Sequence, residues 1–290
     1  MLRKRQNTPP VIQIFANPSA GGFRTKRLVE FQDQLVRCGA RVSVSPSMPG
    51  ATLCVNSATT HIWAFGGDGT ARHVAGAAAD CGRPISVGIY PAGTVNLLAR
   101  EMALPYKRTP ALTTLDEVNP RQHFLGELNG KIFLTCASAG PDSRIVARLP
   151  SRLKRLCGKY AYGVMFLAEL LSWRRNPITL TWENGSAECE AFYVAKGRFY
   201  AGPWSFAPYA SVTDPHLHVV MLPIANRRRY LRFLVALLCN SVERCPGLIR
   251  FSCSNLEASA ERSVPVQIDG DAVAMLPVKI GVKPNPLTFC

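Results

Sequence analysis

Ile62-Trp63-Ala64-Phe65-Gly66-Gly67-Asp68-Gly69-Thr70 is the stretch on which the reading of this chain turns. Its first four residues are apolar and predict a buried strand. Three glycines around one carboxylate follow, and Arg72–Ala79 reads as a helix. A strand running through a glycine turn into a helix presents backbone N–H groups at a positive helix end, a setting that suits a phosphate. The glycines remove the Cβ atoms that would hold a phosphate off that backbone. Asp68 is out of keeping with this. A bare carboxylate repels phosphates unless Mg²⁺ or a proton lies between them, so Asp68 is a candidate metal-facing or proton-accepting group. Taken alone, Phe65–Thr70 is equally well a glycine-rich turn with a capping aspartate.

Upstream, Val11–Ala16 is a β-branched apolar run that predicts the first strand. It ends in Asn17-Pro18-Ser19-Ala20-Gly21-Gly22, small residues able to form a second phosphate-cradling turn. A helix is expected over Thr25–Arg37, with Leu28, Phe31 and Leu35 on one face and Gly39 as its stop. Arg41–Val44 and Leu53–Val55 are short strand candidates. Downstream, the apolar run Ile85–Tyr90 leads into Pro91-Ala92-Gly93-Thr94-Val95-Asn96 and a helix to about Met102. Strands alternating with helices predict an α/β domain with a parallel sheet, where ligands collect at the carboxyl ends of the strands. Three small-residue loops follow three predicted strands there.

After about residue 120 the pattern changes. Gln122–Leu128 and Lys131–Ala137 flank Asn129-Gly130, a hairpin signal. An amphipathic helix is expected over Ser151–Trp173, and another over Tyr230–Val242. Strands are expected at Ile178–Trp182, Ala191–Lys196, Leu217–Leu222, Val264–Ile268 and Val278–Val282. The chain is therefore expected to divide into an α/β nucleotide-binding domain over 1–120 and a mainly antiparallel β domain over 121–290.

Composition agrees with two folded domains. The 290 residues are 47% hydrophobic, ample for a sizeable core. Ten cysteines are scattered without a C-x-x-C pair, and the opening Arg3-Lys4-Arg5 is not followed by an apolar signal core, so reduced thiols in a cytoplasmic protein are expected. The longest apolar runs, near Val164–Leu171 and Leu231–Cys239, fall short of a membrane span. A net charge of +15 favours an anionic partner. The chain has no helix-turn-helix, zinc-finger or RNP-like pattern, so nucleic acid is not expected.

Asn17-Pro18-x-x-Gly21, Gly66-Gly67-Asp68-Gly69-Thr70 and Pro91-x-Gly93-Thr94-x-Asn96-x-x-Ala99-Arg100 resemble, in order, the signatures of the diacylglycerol kinase catalytic domain superfamily, which includes bacterial lipid kinases and sphingosine kinases. Ala139-Gly140-Pro141-Asp142 is similar to its Gly-Phe-Asp segment, and Gly158-Lys159-Tyr160-Ala161-Tyr162 to its Gly-Lys-x-Ala-Tyr helix. Ala207-Pro208-x-Ala210, Asp214 and Leu217-x-Val219 resemble its Ala-Pro-x-Ala and Asp-Gly-x-Leu-Asp-Val segments. Asp269-Gly270-Asp271 sits where the family has Asp-Gly-Glu.

The resemblance implies a two-domain kinase that transfers the γ-phosphoryl of ATP, with Mg²⁺, to a lipid hydroxyl near the cleft between the domains. By position, Gly66, Gly67, Gly69 and Thr70, with Gly93, Thr94 and Asn96, would hold phosphates, and Asn17, Ser19, Gly21 and Gly22 would close over them. Asp68 would steer Mg²⁺ or the transferring phosphoryl, Asp271 would accept the hydroxyl proton, and Asp214 would match a structural metal site. The chain departs from the pattern in places. Asp271 is one methylene shorter than Glu, His73 replaces a Glu, Leu97 stands where many members have Asp, and Pro141 replaces Phe.

Two other readings stay open: an NAD kinase-like enzyme, and a non-catalytic lipid-binding or regulatory protein on a degenerate kinase scaffold. Basic clusters at Arg152, Lys154, Arg155 and Lys159, and at Arg227-Arg228-Arg229 and Arg232, suit transient contact with an anionic membrane surface, or are simply solvated. The sequence leaves the lipid and the oligomeric state open.

Overall fold

The computed structural model describes residues 9–48, 50–104, 121–148, 169, 175–223 and 226–290. The chain forms two compact units, one of residues 1–123 with 286–290 and the other of residues 124–285. The helix expected over Ser151–Trp173, with its basic cluster and the Gly158–Tyr162 segment, lies outside the described residues apart from Glu169.

In the first unit β1 (Val11–Ala16), β2 (Arg41–Pro46), β3 (His61–Gly66) and β4 (Ser86–Pro91) run parallel in the order β2-β1-β3-β4. Helix α1 (Thr25–Arg37) buries Phe31 and Leu35 against Ile12, Ile14, Trp63 and Phe65, as its 3.6-residue spacing predicts. It stops where predicted. Gly39 takes a φ of +84°, its N–H reaches the Val36 carbonyl, and the Ala40 N–H reaches that of Leu35, a Schellman closure.

Helix α2 (Asp68–Asp80) begins four residues before the expected Arg72, so Asp68, Gly69 and Thr70 are its first turn rather than a free loop. Helix α3 (Leu97–Glu101) follows β4. Leu53–Val55 does not form the expected strand. The buried amide of Gln13 satisfies that backbone instead, donating to the Cys54 carbonyl and accepting from the Asn56 N–H.

The sheet is completed from the far end of the chain. Leu287–Phe289 pairs parallel with β4 and antiparallel with β5 (Arg121–His123), and Phe289 is buried with its ring 4.4 Å from that of His123. The last strand thus belongs to the first unit, although residues up to 290 were expected in the second domain.

The second unit is built from two six-stranded antiparallel sheets. Side chains of both meet in one core, with Leu128, Phe133, Leu180, Leu256 and Ile280 from one sheet and Ala137, Phe192, Val219, Met221 and Val266 from the other. Ala191–Ala195 and Leu217–Leu222 are buried on both faces, which explains their almost wholly apolar sequences, with the buried His218 the one polar residue.

The outer face of those strands is covered by helix α5 (Arg227–Leu238), which follows α4 (Pro141–Arg148) among the helices whose full span is described. The predicted hairpin forms at Asn129-Gly130, both residues with positive φ. Five described strands went unpredicted, Gly185–Cys189, Ile249–Cys253, Asn255–Ser259, Asp271–Met275 and Leu287–Phe289, because each buries at most two of its residues and so carries a weak apolar signal. Every described cysteine is a free thiol, and no described helix is long and apolar enough to cross a membrane.

Candidate functional site

The loops after β1, β3 and β4 are stitched together at the carboxyl ends of their strands. The Asn17 N–H donates to the Phe65 carbonyl (3.0 Å), the Ala92 N–H to that of Gly66 (2.7 Å), and the Gly22 N–H to that of Ala92 (2.8 Å). Asn17 spends its amide on this framework, its Oδ1 accepting from the Ser19 N–H and its Nδ2 donating to the buried Thr70 hydroxyl. Asn96, left-handed at φ 53°, accepts from the Gly93 N–H and donates to the Gly93 carbonyl, closing the third loop on itself. Of the expected phosphate-holding residues, Ser19, Gly21, Gly69 and Thr94 are exposed, while Thr70 and Asn96 are buried supports. Beneath the loops, Phe65 stacks on Tyr90 with ring centroids 4.2 Å apart.

The glycines permit this approach. A Cβ on Gly93 would lie 2.4 Å from the Cα of Gly67, one on Gly66 2.3 Å from Thr70 Oγ1, and one on Gly22 2.9 Å from the Ala92 carbonyl oxygen. Gly93→Ala is therefore expected to cost about 1–3 kcal/mol through overpacking of backbone on backbone, read in urea unfolding. Gly76→Ala in α2 is the control. A Cβ there meets nothing within 4 Å, and the change should be neutral or stabilising by about 1 kcal/mol. Equal costs at the two positions would contradict the packing argument.

Asp68 stands at the meeting point of the loops. It is the first residue of α2, half-buried, and its Oδ1 accepts from the Leu98 N–H (3.3 Å) in the first turn of α3. The positive ends of two helices thus face its carboxylate. The first-turn N–H groups of α2 have no carbonyl four residues back in their own helix, and the exposed rim stands beside them. This arrangement has the donors that a nucleotide phosphate needs, and the Asp68 carboxylate beside them is of the kind that would face a cation there. Of the replaced positions, Leu97 is buried, and His73 Nδ1 lies 3.5 Å from Ser47 Oγ.

In the second unit the hairpin Ile268–Asp271 separates two carboxylates. Asp269 (φ 47°) and Gly270 (φ 86°) make the turn. The buried Asp269 accepts from the N–H groups of Leu134, Thr135 and Cys136 and from the Thr135 hydroxyl, and so clamps the chain at the start of the Cys136–Ala139 strand. Asp271, partly exposed, opens the next strand opposite Ile268. A polar chain leads away from the turn through the buried interior. The Gly270 N–H donates to Gln267 Oε1, Gln267 Nε2 donates to Ser138 Oγ, and the hydroxyls of Ser138 and Tyr200 donate to Asp142. Burial pushes the Asp142 carboxyl above its usual range, against the pull of those two hydroxyls. Sequence reasoning quoted Asp142 but gave it no part. Only the fold shows that it supports the hairpin bearing Asp271.

The Asp214 segment does not fit a structural metal. Asp214 accepts from the His216 N–H and meets His216 Nδ1 and His218 Nε2, each at 2.8 Å. Burial works upward on its carboxyl, but the hydrogen bonds of the two histidines outweigh it and hold the group below its usual range. The carbonyls of Asp214 and His216, which a cation would use, receive the ammonium of Lys196, a side chain 0% exposed. Burial pushes that ammonium down to about 8, with the Asp214 carboxylate opposing. Among the described residues no group of three or more His, Cys, Asp or Glu could hold a metal ion. Chelation with EDTA is accordingly expected to leave the melting temperature unchanged. Lys196→Met should destabilise by about 1–3 kcal/mol by stranding the two carbonyls. A melting temperature that falls on chelation and recovers with Mg²⁺ would restore the metal reading.

A parallel sheet with three small-residue loops stitched together at its carboxyl edge, followed in the chain by an antiparallel sandwich, defines an α/β-plus-β class of two-unit proteins. Residues 11–128 match the family described as Diacylglycerol kinase catalytic domain, and residues 135–290 the one described as YegS C-terminal NAD kinase beta sandwich-like domain. A "Probable lipid kinase YegS-like" protein of Pseudomonas aeruginosa is 33% identical over 231 residues, 77% of this chain and 74% of that one. The diacylglycerol kinase of Bacillus subtilis is 25% identical over 282 residues, 91% of each chain. A solved diacylglycerol kinase structure from Bacillus anthracis str. Sterne shares the fold, with a TM-score of 0.70 at 15% identity over 98% of this chain and 97% of that one. The chain belongs to the diacylglycerol kinase and YegS-like lipid kinase family.

Proposed function

We propose that this protein is an ATP- and Mg²⁺-dependent lipid kinase whose acceptor is the hydroxyl of a diacylglycerol or another long-chain lipid. The observation that carries the reading is the junction of the three loops, with the Asp68 carboxylate at its centre and exposed small residues at its rim. Mg²⁺, when bound, neutralises charge on the phosphates. The residues of the chain do the rest. Ser19, Gly21, Gly69 and Thr94 bind and orient the phosphates, and Asn17 and Asn96 keep the loops in place. Asp68 positions the metal and the γ-phosphoryl. The bond from the γ-phosphorus to the bridging oxygen breaks as one to the lipid oxygen forms, and Asp271 takes the hydroxyl proton. The names of the relatives support the lipid acceptor.

The test is transfer from radiolabelled ATP to a panel of diacylglycerol, phosphatidylglycerol, a sphingoid base and NAD. Label in a lipid supports the reading. Label in NAD favours the NAD kinase-like alternative, and no label anywhere favours the non-catalytic one.

A further inference from the structure

Helix α5 (Arg227–Leu238) has one side fully accounted for. Tyr230, Phe233, Ala236 and Leu237 are buried against Tyr193, Val220 and Leu222 of the sheet. Its other side is unusual in two respects. Leu231, Val235 and Leu238 recur at i, i+4 and i+7 and stand 48%, 53% and 54% exposed, so three large apolar side chains form one row facing solvent. Arg228 and Arg232 are also exposed and, by spacing, share that side.

Arg227, Arg228 and Arg229 occupy the first turn, where the helix end is positive and the turn itself contains no acidic residue. The turn is held by the side chain of Asn226, which accepts from the Arg229 N–H at 2.9 Å. The packing of α5 on the sheet makes no use of the exposed apolar row.

We infer that the outer side of α5 docks the protein on an anionic bilayer, with Leu231, Val235 and Leu238 entering the acyl boundary and Arg228 and Arg232 resting at the headgroups. Charge complementarity selects this occupant. The helix carries four arginines and no carboxylate, and the whole chain has a net charge of +15. Arginine stems can lie along the apolar row while their guanidinium groups reach phosphates, and an amphipathic helix with this division of faces lies in a membrane interface without spanning it. The choice of a bilayer over another anionic surface rests on the lipid kinase reading, since a long-chain acceptor has to be met where it resides.

The experiment is co-sedimentation of the full chain with phosphatidylcholine vesicles, with and without phosphatidylglycerol, beside turnover on a short-chain diacylglycerol dispersed in detergent micelles. The parent should bind only the anionic vesicles, and added salt should weaken binding. Leu231→Gln/Val235→Gln/Leu238→Gln should lower partitioning by about tenfold or more, and Arg228→Gln/Arg232→Gln by about fivefold per arginine. Micellar turnover and melting temperature should stay near those of the parent in both. Vesicle binding unchanged in both variants overturns the inference, as does self-association abolished by the apolar variant without vesicle binding. Loss in the arginine variant alone overturns apolar insertion. An absence of micellar turnover in the parent, with vesicle binding that still depends on α5, overturns diacylglycerol as the acceptor and leaves the docking surface standing.

Discussion

Asp68→Asn is expected to lower γ-phosphoryl transfer by about two to three orders of magnitude while leaving the fold intact. The substitution preserves shape, and an amide oxygen can still accept from the Leu98 N–H that now meets Asp68 Oδ1. What is lost is a negative charge at a junction of backbone donors, the charge that the proposed reaction uses to hold Mg²⁺ beside the phosphates. The stability cost should be small, about 0.3–1 kcal/mol, because the charge also favours the start of α2. Steady-state turnover with radiolabelled ATP and thermal unfolding on the same preparations separate the two effects. Parent-like turnover in the variant would falsify the assignment of Asp68 as a catalytic carboxylate.

At Asp271 the expected loss is about a hundred- to ten-thousandfold in kcat for the Asn variant, with ATP affinity nearly unchanged, since a proton acceptor acts mainly in the transition state. Asp271→Glu should retain or raise activity, because it supplies the longer carboxylate that the family pattern carries. The structure makes this pair informative. Asp271 is partly exposed and opens a strand, whereas Asp269, two residues earlier, is buried under four hydrogen bonds and cannot be changed without disturbing the turn. If the parent is active and Asp271→Asn equally so, the proton goes to Asp68, another carboxylate or solvent, and Asp271 is a turn residue.

The elements that sequence reasoning located are those whose local signal and tertiary environment agree. Val11–Ala16, Ile178–Trp182, Leu217–Leu222 and Val278–Val282 are strands with the bounds their apolar patterns predict, and α1 ends at Gly39 because only a left-handed residue closes it. Misreadings fall where a partner distant in sequence decides. Leu53–Val55 looks like a strand, but Gln13 supplies its hydrogen bonds in place of a neighbouring strand. Leu287–Phe289 is too short to read alone and becomes a strand by pairing with β4 and β5.

The order of the three glycine loops, the lone carboxylate among them and the division into α/β and β-rich parts are written in the chain, because spacing and backbone freedom are local properties. Contacts between distant residues are not. Asn17 and Asn96 read as phosphate ligands, yet their amides close loops, since each finds its partners only once the strands stand side by side. Lys196 carries no signal in sequence, and only folding brings its ammonium to the carbonyls near Asp214. The exposed row on α5 was likewise invisible, because hydrophobic spacing marks a face without saying whether it meets core or solvent. Local chemistry determined which groups this protein has for handling phosphate, and tertiary packing decided which of them are free to do so.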